Sequence, residues 1–140
     1  MLYTVSIDIA APAGRVWTVM SDIERWHEWT PSITSIQKLE PGPLVVGLQA
    51  RVRQPKLPPA VWTVSWIEPG AGFVWVSRAP GVHVTGRHMV EATSGGSRAT
   101  LSILYEGLLG LLIGRLTRPL NERYLGYEAQ GLKQRSETAP

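Results

Sequence analysis

The sequence predicts an α+β fold in which a curved antiparallel sheet of seven strands wraps around a long C-terminal helix. Residues 2–9 and 32–106 alternate between apolar and polar side chains, which is the pattern of half-buried strands. After Gly107 the apolar period lengthens from two residues to about 3.6, as in an amphipathic helix. Only short turns rich in Pro and Gly separate the strands, and such short connections require antiparallel pairing.

The chain begins with one strand and two short helices. In the first strand, residues 2–9, the odd-numbered side chains from Tyr3 to Ile9 are apolar and share one face. Pro12 is preorganised for the first turn of a helix over 12–20. Ser21 or Asp22 is suited to cap a second helix, which reaches Trp26.

Six further strands are predicted before the last helix, because turn chemistry interrupts the alternating pattern at regular intervals. Their spacing leaves room for short connections only. They span residues 32–40, 47–54, 60–68, 73–78, 82–92 and 98–106.

The C-terminal helix runs from Gly107 to about residue 133, a length of roughly 40 Å. Pro119 should kink it about halfway. One domain is expected over 1–135, and 136–140 are expected to form a frayed tail. The apolar positions that follow the helical rhythm are Leu109, Leu112, Ile113, Leu116, Leu120, Tyr124 and Tyr127.

The first two turns of this helix, residues 108–114, are apolar on every side. Burial in the core is the favoured interpretation, because this segment must cross the open end of the sheet. The alternative is a mobile gate, or a surface that touches a membrane or a partner transiently, with Arg115 and Arg118 attracted to an anionic surface.

Composition excludes several classes of function. The 140 residues include no cysteine, so there is no disulfide or thiolate chemistry, and a cytoplasmic location is expected. No apolar run approaches the roughly 20 residues of a membrane span, and Asp8 interrupts the N-terminal apolar stretch, which argues against a signal peptide. The net charge of +3 comes partly from C-terminal basic residues interrupted by Glu122 and Glu128, which does not predict nucleic-acid binding.

Several short motifs can be compared with known families. They are Ala11-Pro12 with Val16-Trp17 and Asp22, Trp26-x-x-Trp29 before Pro31 and Ile33, Trp62 and Val64 before Glu68-Pro69, Phe73-x-Trp75, His88, Gly96-Ser97-Arg98-Ala99-Thr100, and Tyr124 with Glu128 and Gly131-Leu132-Lys133. With the element order, they resemble the helix-grip proteins of the START-like (SRPBCC) superfamily, and within it the polyketide cyclase/dehydrase group. The resemblance covers essentially the whole chain. It implies a helix-grip fold, but not one chemistry, because the superfamily includes lipid carriers, hormone receptors and cyclases.

The sheet is much broader than a helix about 10 Å wide, so a gap between them is expected. Charged residues are assigned to the outer face, and alternation then places Trp62, Trp66 and Trp75 inside, with Trp66 the least secure because a bulge would turn it outward. The same pattern is also typical of an ordinary packed core. The predicted ligand-binding residues are Trp29, Gln54, Trp62, Val64, Trp75, Val84, His88, Leu101, Ile103, Tyr105, Leu112, Leu116 and Tyr124.

His88 is the sharpest catalytic candidate. An inward imidazole could transfer protons while Tyr105 polarises a ligand carbonyl, the minimum needed to cyclise or dehydrate a polyketone-like substrate. The alternative is a neutral histidine that forms a hydrogen bond with a backbone carbonyl or a neighbouring hydroxyl. His83 lies an odd number of residues away, so the two face opposite sides of the strand, and neither a metal site nor any other cofactor is predicted.

Three hypotheses of function follow. The leading one is binding of a hydrophobic lipid-, polyketide- or isoprenoid-like molecule in a cavity between sheet and helix. The second is a cofactor-independent polyketide cyclase/aromatase or dehydratase that uses His88 as proton shuttle and Tyr105 or Tyr124 as hydrogen-bond donor. The third is a protein-interaction module with an exposed apolar surface around Trp26, Trp29 or 108–113. A monomer and a homodimer both remain open.

Overall fold

The computed structural model describes residues 2–138, and its seven strands form one antiparallel sheet in the order β1-β7-β6-β5-β4-β3-β2. The edge strands are therefore β1 and β2. The predicted fold class is confirmed. The strands are β1 Leu2–Ile9, β2 Ser35–Lys38, β3 Gln49–Arg53, β4 Ala60–Glu68, β5 Gly72–Ala79, β6 Val82–Thr93 and β7 Gly96–Glu106.

The helices are α1 Ala13–Ser21, a 3₁₀ helix Ile23–Glu28, α2 Gly110–Leu116 and α3 Arg118–Thr138. The second short helix is thus 3₁₀, and no side chain caps it. No helix within residues 2–138 combines the length and apolarity that a membrane crossing requires.

The long C-terminal helix is divided at Thr117 into α2 and α3. Pro119 lies in the first turn of α3, where a missing backbone N–H leaves no helical hydrogen bond unmade, and not at the midpoint of one helix. α3 also continues past the predicted end to Thr138, and Ser136 is buried within it. The last two residues of the expected frayed tail, 139 and 140, lie outside the described residues.

A bulge interrupts β4. The register between β4 and β5 shifts between Val64 and Trp66, so these two residues no longer share a face. Val64 is 1% exposed and Trp66 is 40% exposed. The inward assignment of Trp66 was therefore wrong, and its indole lies on the outer surface.

Trp26, from the 3₁₀ helix, occupies the centre of the concave side of the sheet. Its indole Nε1 donates to the carbonyl of Met20 at 3.0 Å, and its ring is 6.2 Å or less from those of Phe73, Trp75 and His88. Only 2% of Trp26 is exposed. It is a core residue, so the predicted exposed surface around Trp26 was wrong. The C-terminal helix α3 packs mainly against β1, β7 and α1.

The leucines of α2 point away from the core. Leu112 is 56% exposed and Leu116 is 73% exposed, so the predicted burial of this segment was wrong. Gly110 and Gly114 are the buried residues of α2, and Tyr3 donates its hydroxyl hydrogen to the Gly114 carbonyl at 3.0 Å.

Candidate functional site

A cavity of about 50 Å³ lies on the concave side of the sheet. Five of the predicted ligand-binding residues line it: Gln54, Trp62, Trp75, His88 and Ile103. Residues that the sequence analysis did not assign to it complete the lining, among them Trp26, Ile33, Val52, Gly86, Leu125 and Glu128. Because Gln54, Trp62 and Leu125 are only partly buried, the cavity opens between β3–β4 and α3.

The other predicted residues lie elsewhere. Val64 and Leu101 are buried in the core. Val84 is half-buried, and Trp29 packs on Trp26 with 5.6 Å between ring centroids. None of these lines the cavity, and the exposed Leu112 and Leu116 do not either.

The cavity wall is a continuous aromatic cluster. His88 stacks on Phe73 with 4.4 Å between centroids and 15° between planes, and it meets the Trp75 ring edge-on at 5.6 Å. Trp62 and Trp75 are 5.6 Å apart. Gly86 provides room for them, because a Cβ at this position would lie 3.0 Å from Trp75 Nε1.

His88 is fully enclosed by this cluster. Burial lowers the pKa of its imidazole from 6.5 to about 4, and a backbone hydrogen bond at Phe73 offsets this only partly. Its Nδ1 has no hydrogen-bond partner among the described residues. His88 is therefore neutral at pH 7 and keeps a ring nitrogen that no protein group satisfies.

Glu128 of α3 lines the same cavity and is 8% exposed. Burial raises the pKa of its carboxyl from 4.5 to about 8, against a smaller opposite effect of a hydrogen bond with Ser32. Glu128 is therefore mostly a neutral carboxylic acid at pH 7. The Ser32 hydroxyl lies 2.7 Å from that of Thr30, and Gln54 Nε2 donates to the Ser32 carbonyl at 3.2 Å.

Sequence reasoning missed Glu128 as a site residue, since a lone carboxylate on a helix usually faces water. The available signal was its spacing from buried neighbours. Tyr124, Glu128 and Leu132 follow each other at intervals of four residues, which places them on one helix face, and all three are buried.

The hydroxyls of both predicted tyrosines form hydrogen bonds within the protein. Asn121 Nδ2 donates to the Tyr105 hydroxyl at 2.9 Å, and the Tyr124 hydroxyl donates to the carbonyl of Pro55. Burial raises the pKa of Tyr124. His88 pairs with Leu101 of β7, and Tyr105 lies four residues further along that strand, about 13 Å away. The structure thus brings Glu128, and not Tyr105, to the cavity of His88.

The family model described as polyketide cyclase/dehydrase and lipid transport matches residues 2–137. The chain belongs to this family. The START-like, helix-grip resemblance seen in the sequence is therefore confirmed. No match is found among curated protein sequences.

Solved structures of similar fold include a START superfamily protein and aromatase/cyclase proteins. A START superfamily protein from Mycobacterium smegmatis aligns with a TM-score of 0.78 at 16% identity, over 99% of both chains. The Zhui aromatase/cyclase from Streptomyces sp. R1128 aligns with a TM-score of 0.74 at 18% identity, over 98% of this chain and 92% of that one. The di-domain ARO/CYC BexL, from the BE-7585A biosynthetic pathway, aligns at 0.72 and 20% identity, over 100% of this chain and 48% of that one. At these identities the likeness is one of fold.

In this member of the cyclase/dehydrase family, the chemistry available to the cavity is that of neutral polar groups. No group of three His, Asp or Glu side chains within residues 2–138 is arranged to hold a metal ion. A protonated Glu128 can donate a hydrogen bond or a proton, and a neutral His88 can accept one. The arrangement suits an uncharged ligand with an apolar body and one or two oxygen atoms.

Proposed function

We propose that the protein binds a hydrophobic small molecule, of lipid-, polyketide- or isoprenoid-like chemistry, in the cavity beside Trp62 and Trp75. The observation that carries the proposal is the combination of an aromatic wall with a buried, neutral carboxyl at Glu128. Apolar walls supply affinity, and a few placed polar groups supply orientation. A carboxyl buried with no compensating cation is costly for folding alone, which supports a role in binding.

The cavity is smaller than the sites that usually hold small molecules. About 50 Å³ is room for a few water molecules, whereas small-molecule sites usually span roughly 300–1,000 Å³. A ligand of that class therefore enters only if the rim moves. Trp62 and Leu125 are half-buried and flank the opening, so their rotation would enlarge it with little loss of core packing.

The polar groups define the ligand further. Glu128 as an acid is a hydrogen-bond donor, and Gln54 offers both a donor and an acceptor at the opening. A carbonyl or hydroxyl oxygen on the ligand would meet the carboxyl of Glu128. A ligand with a formal charge would lose its hydration without finding an opposite charge among the lining residues.

A second candidate is a cyclase or dehydratase, and the shared cavity of His88 and Glu128 favours it. In a dehydration, neutral His88 would take a proton from the carbon next to a ligand carbonyl, and Glu128 would protonate the departing hydroxyl as water. The bond between the ligand's carbon and its hydroxyl oxygen breaks as the new carbon–carbon double bond forms. Proton exchange with solvent would then restore both side chains.

Titration with the neutral fluorophore Nile red tests the binding proposal. We expect saturable binding with one site per chain, and Trp62→Ala should change the affinity because this side chain forms both wall and rim. Trp66→Ala is the matched control, since it removes an indole from the outer surface. Binding that does not saturate, or that responds to both substitutions alike, would contradict the proposal.

A further inference from the structure

The short helix α2 and the residues before it carry an apolar surface that faces away from the protein. All its members are leucines, and each is close to half exposed or more. This leucine patch comprises Leu108 at 97%, Leu109 at 47%, Leu111 at 50%, Leu112 at 56% and Leu116 at 73% exposure.

The leucine patch is exposed because α2 packs through its glycines. Gly110 and Gly114 lie on one face, at a spacing of four residues, and both are buried. A Cβ on Gly110 would lie 3.3 Å from the carbonyl carbon of Tyr105, and Tyr3 donates to the Gly114 carbonyl at 3.0 Å. The sheet therefore accepts the glycine face and leaves the leucines outside. A surface helix normally has the reverse arrangement.

An unpaired arginine lies next to the leucine patch in the sequence. Arg115 is exposed, and its side chain makes no ion pair or hydrogen bond with any part of the chain that the structure describes. Arg118 is held by Glu122 at 2.9 Å and lies over the Tyr3 ring at 5.7 Å. Arg115 is therefore available to an external partner.

Two opposite charges lie at this end of the sheet, on the two strands that flank β6. Arg78 of β5 and Glu106 of β7 both pair in register with His83 of β6, so the two opposite charges flank the same residue. Glu122 is engaged by Arg118. Arg115 is the one charged residue within the segment 108–116 that carries the leucine patch.

We propose that the leucine patch and Arg115 dock the protein on a membrane surface that contains anionic lipid. Exposed leucines can enter the boundary between headgroups and acyl chains, while an adjacent arginine is attracted to the negative surface. A second copy of the chain is the less suitable occupant. A twofold contact would use the same patch on both copies and would bring two Arg115 side chains together without opposite charges. The proposal does not depend on the ligand of the cavity.

Co-sedimentation with lipid vesicles tests the proposed membrane docking. Phosphatidylcholine vesicles that contain phosphatidylserine should bind the wild-type protein, and pure phosphatidylcholine vesicles should bind it more weakly. The double variant Leu108→Ser with Leu116→Ser should lower the partition coefficient at least tenfold, roughly, because it removes the two most exposed leucines. Arg115→Ala should lower the partition coefficient about fivefold and make vesicle binding less sensitive to salt.

Matched control variants lie far along the chain on other surfaces. Val46→Ser removes an apolar side chain that is 62% exposed between β2 and β3, and Arg51→Ala removes an exposed charge from β3. Neither should change vesicle binding, and all four proteins should keep the wild-type affinity for Nile red. The proposal is overturned if the wild type does not bind the anionic vesicles, or if the leucine variant binds them equally well. It is also overturned if the wild type is a dimer that the leucine variant converts to a monomer, since the patch would then be a self-association surface.

Discussion

The indole of Trp26 lies 5.6 Å from that of Trp75, so a side chain of the 3₁₀ helix packs on the concave side of the sheet. The C-terminal helix α3 packs mainly on β1, β7 and α1, whereas Trp26 packs against Phe73 of β5 and His88 of β6. What remains is the cavity of about 50 Å³ beside Trp62 and Glu128. The position of Trp26 thus controls how much space a ligand can use.

Trp26→Ala should enlarge the cavity and destabilise the fold. Removing a buried indole costs about 3–5 kcal/mol of unfolding free energy, and Trp26 is 2% exposed. Urea denaturation measures this loss, and Nile red titration should show tighter binding or faster association in the larger space. Trp66→Ala should change neither quantity by comparison, because its indole lies outside. A tolerated Trp26→Ala with unchanged stability would show that Trp26 does not fill the core.

Glu128→Gln should raise stability at neutral pH. The folded pKa of about 8 lies above the unfolded value of 4.5, so between these values the unfolded chain is ionised while the folded one holds a proton. The contribution of Glu128 is fully present below about pH 4.5 and is lost as the pH rises to about 8. The loss is about 1.4 kcal/mol for each pH unit in this window. Glutamine keeps the shape and has no such loss.

The measurement is the difference in unfolding free energy between wild type and Glu128→Gln across pH 5 to 8. It should grow with pH in favour of the variant. Glu68→Gln, on an exposed side chain, is the control and should give a flat difference. A flat difference for Glu128→Gln as well would mean that its carboxyl is ionised in the folded protein.

His88→Phe should behave in the opposite sense with pH. The folded pKa of about 4 lies below the unfolded value of 6.5, so the contribution of His88 is present above about pH 6.5 and is lost as the pH falls towards 4. Relative to wild type, the variant should gain stability over that range. It also removes the unsatisfied Nδ1 and keeps a ring that can stack on Phe73. Equal pH profiles of the two proteins would contradict a buried, neutral His88.

The same variant separates the two candidate functions. A binding protein should retain its affinity for Nile red when His88 becomes Phe, because the wall stays aromatic. A cyclase or dehydratase should retain binding and lose turnover. Loss of binding with an intact fold would instead make the imidazole a direct ligand contact.

Gly131→Ala should be destabilising although alanine favours helices. A Cβ at Gly131 would overlap the carbonyl oxygen of Trp29 at 1.9 Å, so α3 and the loop after the 3₁₀ helix would have to separate. Gly126→Ala on the same helix meets nothing within 4 Å and should stabilise by about 1 kcal/mol. Thermal unfolding of the two variants should therefore shift in opposite directions. Stabilisation by both would show that α3 does not lie this close to Trp29.

The strands and their inward faces could be predicted because alternation is a local property. Trp62, Trp75 and His88 all line the cavity on the inner face, where the period of two placed them. Trp66 could not be placed, because the bulge after Val64 depends on pairing with β5 and leaves no clear mark in the β4 sequence.

The site was less predictable because it depends on packing between distant elements. Trp26 lies in the 3₁₀ helix, and its indole contacts Phe73 of β5 and His88 of β6, so only the fold shows that it enters the core. The leucines of α2 follow a helical period, but Gly110 and Gly114 determine which face is buried. Apolar periodicity alone therefore predicted the wrong face.

The location of ligand binding is tested most directly by nuclear magnetic resonance of ¹⁵N-labelled protein titrated with 2-naphthol, a neutral aromatic molecule with one hydroxyl. We predict saturable shifts concentrated at Val52, Gly86 and Glu128 and at the indole N–H groups of Trp62 and Trp75. The indole N–H of Trp66 is an internal control on the outer surface and should not move. Shifts that fail to saturate, or that cluster on the outer face around Trp66 while the cavity residues stay unchanged, would contradict a binding site in this cavity.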